Sequence, residues 1–137
     1  SDGELDLDGT ILLAESAKSA DPAVRRAAEG VTQLKAGRYA DAVLSLTAAL
    51  DASNGKSAPV AFLLGWSHRG AGNLVNAVSA FRNAAVLDPT MIPAHLALAE
   101  TYIDLKQPAL AVQALEAGLA SQPNATELKR MLETIKK

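Results

Sequence analysis

Residues Pro59–Pro89 read PVAFLLGWSHRGAGNLVNAVSAFRNAAVLDP, and residues Pro93–Pro123 read PAHLALAETYIDLKQPALAVQALEAGLASQP. The second stretch is a diverged copy of the first, shifted by 34 residues, so that Pro59 pairs with Pro93, Leu64 with Leu98, Ala77 with Ala111, Val78 with Val112, Phe81 with Leu115 and Pro89 with Pro123. A fixed period in the range of roughly 20 to 50 residues marks a solenoid, whose units bury their apolar faces only against neighbours. The chain is an array of one repeated unit, and such arrays point to binding rather than catalysis.

Within each copy the apolar residues recur at helical spacing. Pro59 suits a first helical turn, where its missing N–H costs nothing. The helix it starts is expected to run to about Ala71, and Gly72 and Asn73 can take the left-handed conformation that ends it. A second helix follows from Leu74 to Leu87, stopped by Asp88 and Pro89. The next unit repeats this hairpin, with a helix from Pro93 to Leu105, a turn at Lys106 and Gln107, and a helix from Pro108 that stops before Pro123.

Upstream, Gly37, Tyr39, Ala42, Val43, Leu46 and Ala49 sit 35 residues before Gly72, Leu74, Ala77, Val78, Phe81 and Ala84. This first unit is one residue longer, and the extra residue is expected in the turn-rich run Asn54-Gly55-Lys56-Ser57. Asp21-Pro22 reads as an N-cap followed by a first-turn proline. After Pro123, Asn124 or Thr126 can cap a last helix with the apolar stripe Leu128, Met131 or Leu132, and Ile135. Its other face is charged, as the end of an array requires.

The pattern resembles the tetratricopeptide repeat, a helical hairpin marked by Leu-Gly, Tyr, Ala, Phe and Pro at set spacings. The middle unit carries Leu64-Gly65, Ala77, Phe81, Ala84 and Pro89, and the third carries Leu98-Ala99, Tyr102, Ala111, Leu115, Gly118 and Pro123. The first supplies Gly30, Gly37, Tyr39, Ala42, Leu46 and Ala49. The early Trp of the motif is replaced by Arg26, Ala61 and His95, and no Pro follows the first unit. The resemblance implies an all-α, right-handed solenoid. Its expected divisions are an acidic arm with a short helix (1–22), three hairpins (23–57, 58–91 and 92–125) and a capping helix (126–137).

Composition agrees with this architecture. The chain has 137 residues, 49% of them hydrophobic but only 4% aromatic, and the excess is largely alanine, the best helix former. A formal charge of −2 leaves no basic face for nucleic acid. With no cysteine there is no disulfide, thiol nucleophile or thiolate metal site. No apolar run reaches the roughly 18 residues that span a bilayer. A soluble protein is expected, cytoplasmic rather than periplasmic, although an absence of cysteine fits both compartments.

The arm holds two motifs that compete with this account. Asp6-Leu7-Asp8-Gly9-Thr10 resembles the signature of haloacid-dehalogenase-type phosphatases, but that motif needs a buried strand leading into it and Ser1-Asp2-Gly3-Glu4-Leu5 is not one. Glu4, Asp6, Asp8, Gly9, Ile11 and Glu15 fall at the spacing of an EF-hand loop, which makes a calcium-regulated module using residues 4–15 the alternative function. Against it stand Glu at the first ligand place and no room for an entering helix. The plainer account is a short helix from about Asp8 to Ser19, capped by Asp8. His68 and His95 fall where the motif places packed aromatics, so no metal site is expected of them. No Ser/His/Asp set or glycine-rich phosphate loop is present. An enzyme is not expected, nor is a cofactor.

What remains is a groove. The resemblance implies that the first helices of successive hairpins line a concave face, here with Val31, Leu34 and Lys35, then Phe62, Leu63, Trp66 and Arg69, then Leu96, Glu100, Ile103 and Asp104. Many such domains grip a C-terminal carboxylate with a clamp of Lys, Arg and Asn, and the corresponding places here hold Ala27, Val31, Leu63, Pro93 and Ala97. An adaptor, chaperone or scaffold taking an apolar helix or extended segment of another protein is expected, with no nucleic acid and no membrane insertion. Groove side chains are expected to contribute little to packing between repeats. The arm, with Leu5, Leu7, Ile11, Leu12 and Leu13, has enough apolar area to cover the solenoid or to pair a second copy as a homodimer.

Overall fold

A computed structural model describes residues 21–137. The arm lies outside these residues, and with it the calcium-loop spacing, the phosphatase-like motif, the helix from Asp8 to Ser19 and any cover over the groove.

The described residues form seven helices and no strand: α1 (Pro22–Lys35), α2 (Tyr39–Ala52), α3 (Ala58–Gly70), α4 (Leu74–Leu87), α5 (Ile92–Asp104), α6 (Pro108–Ser121) and α7 (Thr126–Lys136). Their starts follow from local chemistry. The Asp21 side chain accepts from the Ala23 N–H at 2.9 Å with Pro22 in the first turn, and Ser57 accepts from the Val60 N–H at 3.3 Å ahead of α3. Both leave fewer helix-end donors unpaired. At α7 the expected cap does not form. Ala125 is the capping residue and no side chain bonds the first turn, because Thr126 is already helical; Glu127 favours the helix dipole there instead.

The three hairpin turns share one geometry. Gly37 (φ 76°), Gly72 (φ 83°) and Lys106 (φ 63°) take the left-handed conformation, while Asn73 does not (φ −91°). The next residue then bonds back five positions, from Arg38 N–H to Gln33 O, Asn73 N–H to His68 O and Gln107 N–H to Tyr102 O, each at 2.9 Å. These are the closing bonds of a Schellman ending, which satisfy carbonyls left over at a helix C-terminus. The longer loop after α2 is closed by Asn54 (φ 59°) and Gly55 (φ 72°), where the extra residue of the first unit was expected.

Helices pack in chain order: α1 on α2, α3 on α4 and α5 on α6 within hairpins, then α2 on α3, α4 on α5 and α6 on α7 between them. Small residues set the spacing. A Cβ at Gly65 would lie 2.5 Å from the Phe81 ring, and one at Gly30 would collide with Leu46 in the same way. Phe81, Leu46 and Leu115 occupy one repeat position and are fully buried, flanked by buried Ala42, Ala77 and Ala111. The core falls into two clusters, one around Val31, Leu46 and Leu63, the other running from Ala58 to Leu128. Leu50 and Trp66 pack against both.

Candidate functional site

Trp66 lies on α3, the middle one of the first helices α1, α3 and α5 of the three hairpins. It is half-buried, its indole meeting Phe81 edge-on at 5.4 Å between centroids and Phe62 at 6.3 Å, arrangements that aromatic quadrupoles favour. The Arg69 guanidinium lies 5.6 Å from the indole centroid, within cation–π range. Beside them opens a pocket of about 360 Å³ walled by Leu34, Tyr39, Trp66, Arg69 and Gly70.

Arg69 is not a free cation. Its Nη2 donates to Asp104 Oδ2 at 2.6 Å, and its Nη1 donates to Thr101 Oγ1 at 2.7 Å. Thr101 is fully buried, and its hydroxyl in turn donates to the Ala97 carbonyl at 2.7 Å. Arg69 therefore bridges α3 and α5 and holds the indole from one side. The other exposed charges among the residues expected in the groove are Lys35 and Glu100.

The structure separates the expected groove residues into two groups. Trp66, Arg69, Leu96 and Ile103 are partly exposed and Glu100 is exposed. Val31 (1% exposed), Leu34 (6%), Phe62 (4%) and Leu63 (2%) are core residues. The expectation that groove side chains contribute little to packing fails for these four, and also for Trp66, which joins the two core clusters. Leu63 turns toward the α1–α2 cluster, and the Phe62 ring packs 5.8 Å from Phe81. Tyr39 and Gly70 were not expected in the site. They come from the start of α2 and the end of α3, and a search for lining residues confined to the middles of first helices passes over both.

The two histidines lie in unrelated settings. His95 Nε2 is 2.8 Å from the Pro89 carbonyl, which can only accept, so that nitrogen carries the proton. His68 faces another side of α3, against Leu50, Asn76 and Asn83. No group of three or more His, Asp or Glu that could hold a metal occurs among the described residues. None of the described helices is long and apolar enough to cross a membrane.

Comparison with known proteins places this architecture. A family model of the tetratricopeptide repeat matches residues 68–135. No curated protein matches the chain in sequence. Among solved structures, the chain is similar to MamA (20% identical, TM-score 0.75, covering 95% of this chain and 77% of that one). It is also similar to the first TPR of Spaghetti (RPAP3) bound to the HSP90 peptide SRMEEVD (19%, 0.73, 86% and 93%). A third is the type III secretion translocator chaperone SycD of Yersinia enterocolitica (22%, 0.73, 86% and 94%). Likeness at these identities carries the fold. With the 34-residue sequence period, the repeated hairpins and the matching family model, the chain belongs to the tetratricopeptide repeat family.

Proposed function

We propose that the chain is a non-catalytic protein-interaction module that takes an apolar helix or extended segment of another protein along the face centred on Trp66. The observation that carries this is the pocket beside a half-buried indole, framed by Leu34 and Tyr39, in which the one cation is already neutralised by Asp104. An aromatic anchor held by its own neighbours loses little conformational freedom on binding, which is where interface energy concentrates. Support in kind comes from two similar structures that hold peptides, the RPAP3 domains with HSP90 and HSP70 peptides. Those peptides end in Glu-Glu-Val-Asp. Here the clamp places hold Ala27, Val31, Leu63, Pro93 and Ala97, none of them charged and all but Pro93 buried, so an apolar segment suits the face better than an acidic tail.

Peptide display on the immobilised chain tests the proposal. Enriched segments should carry apolar residues at helical or alternating spacing and should lose binding to the double variant Glu100→Arg, Ile103→Glu. Enrichment of acidic C-terminal tails, insensitive to that variant, would contradict it.

A further inference from the structure

The side of α3 away from Trp66 carries a second feature. Among the described residues, His68 Nδ1 is a buried side-chain atom with no hydrogen-bond partner. The ring lines a cleft of about 240 Å³ between three helices, walled by Leu50 of α2, Leu64 of α3, and Asn76, Ser79 and Asn83 of α4. The cleft is the seam between the first two repeats.

An internal comparison shows what His68 lacks. One repeat further on, 34 residues away, stands Tyr102. Its hydroxyl accepts from Arg82 on the preceding helix α4. The counterpart of Arg82 in the first unit is Thr47, 35 residues earlier, a short exposed side chain with no charge. The same station is bonded in one repeat and bare in the other.

No charged group lines the cleft. The helices packed around α3 carry Arg25, Arg26, Glu29 and Lys35 on α1, Tyr39, Asp41 and Asp51 on α2, and Arg82 on α4. Asp41 is paired with Arg38, Arg82 with Tyr102, and Arg69 of α3 itself with Asp104 on α5. Glu100 of α5 is exposed on the groove face. An imidazolium at His68 would have no counter-charge and would lose solvation, and burial accordingly pushes its pKa below the usual 6.5.

We propose that His68 is a proton-sensitive joint between the first two repeats: neutral, it fits the seam of α2, α3 and α4, and charged, it loosens α3 from that seam. The sign follows from linkage. A histidine whose pKa is depressed by folding binds its proton more readily in the unfolded chain, so stability is intact above the ordinary imidazole value and falls as pH drops below it. One such group changes the folding equilibrium by at most about tenfold per pH unit. Trp66 lies on the same helix two residues away, so the groove feels the change whatever it binds.

The test is denaturant unfolding of the full chain at pH 7.5, 6 and 5, above the titration of ordinary carboxylates, together with an NMR titration of the His68 ring. Wild type should lose stability toward acid, His68→Tyr and His68→Gln should flatten that loss, and the His68 resonance should titrate below the ordinary histidine value. An equal acid loss in both variants, or a His68 that titrates at or above the ordinary value, would overturn the proposal. Should a variant fail to fold, the ring titration in wild type decides alone.

Discussion

Arg69 on α3 and Asp104 on α5 are joined by a 2.6 Å ion pair that spans two repeats. The same guanidinium bonds the buried Thr101 hydroxyl and lies 5.6 Å from the Trp66 indole centroid. Asp104 is 46% exposed and Arg69 23%, so water screens much of the attraction. Asp104→Asn is predicted to cost no more than about 1 kcal/mol. Arg69→Ala should cost more, because it also strips packing from the indole. Urea unfolding of both, with Trp66 emission as the probe, checks the order. A shifted emission maximum in native Arg69→Ala should accompany it.

Gly65 is where two opposed effects can be weighed. Alanine gains about 1 kcal/mol of helix propensity over glycine. A Cβ there would sit 2.5 Å from the Phe81 ring, and overpacking of that kind costs about 1–3 kcal/mol. Packing should win, so Gly65→Ala lowers the unfolding midpoint.

Lys106 offers the reverse. It holds φ 63° in a turn where the other two hairpins use glycine. A side-chain-bearing residue pays roughly 1–2 kcal/mol for that conformation, and glycine loses about 0.5–1 kcal/mol through its freer unfolded chain. Lys106→Gly should therefore stabilise the protein by about 0.5–1 kcal/mol in a denaturant titration. Gly72→Ala, at φ 83°, should do the opposite.

Helix α7 packs on α6 with one fully buried side chain, Leu128, which meets the position of Gly118 and His95. Leu128→Ala should cost about 2–5 kcal/mol. Deleting residues 124–137 should expose the face of α6 and cause aggregation or a large loss of stability, visible by light scattering and thermal melting.

Calcium gives a check on the arm by itself. Glu4 at the first ligand place predicts affinity no better than roughly millimolar. Calorimetry that found a micromolar 1:1 site lost in Asp6→Ala would make the arm a calcium module.

The helices were legible because repetition reports each boundary more than once: Gly37, Gly72 and Lys106 mark the same turn, and Pro59, Pro93 and Pro108 mark helix starts. The cap of α7 was not, since Asn124 and Thr126 flank the residue that takes the capping position. In the groove, residue identity told which face a side chain points toward but not how deep it goes. Phe62 and Leu63 are adjacent in sequence, yet both reach core clusters because the alanines around them leave room. The Arg69–Asp104 pair had a signal that could have revealed it: opposite charges one repeat period plus one residue apart, on first helices of successive hairpins. The His68 seam had one too, in the replacement of the repeat's Tyr by a titratable ring whose register counterpart of Arg82 is the uncharged Thr47.

The central claim, that the Trp66 face binds a segment of another protein, is tested most directly by calorimetric titration of a display-selected peptide against wild type and the Glu100→Arg, Ile103→Glu variant. Glu100 is exposed, while Ile103 is partly buried against the larger core cluster, so the variant should keep its helicity with some loss of melting temperature, and both titrations are run well below that temperature. The account predicts at least a roughly 30-fold weaker Kd in the variant, about 2 kcal/mol, and a blue shift of Trp66 emission when wild type binds. Unchanged affinity in a folded variant, with Trp66 emission unmoved by the peptide, would contradict it.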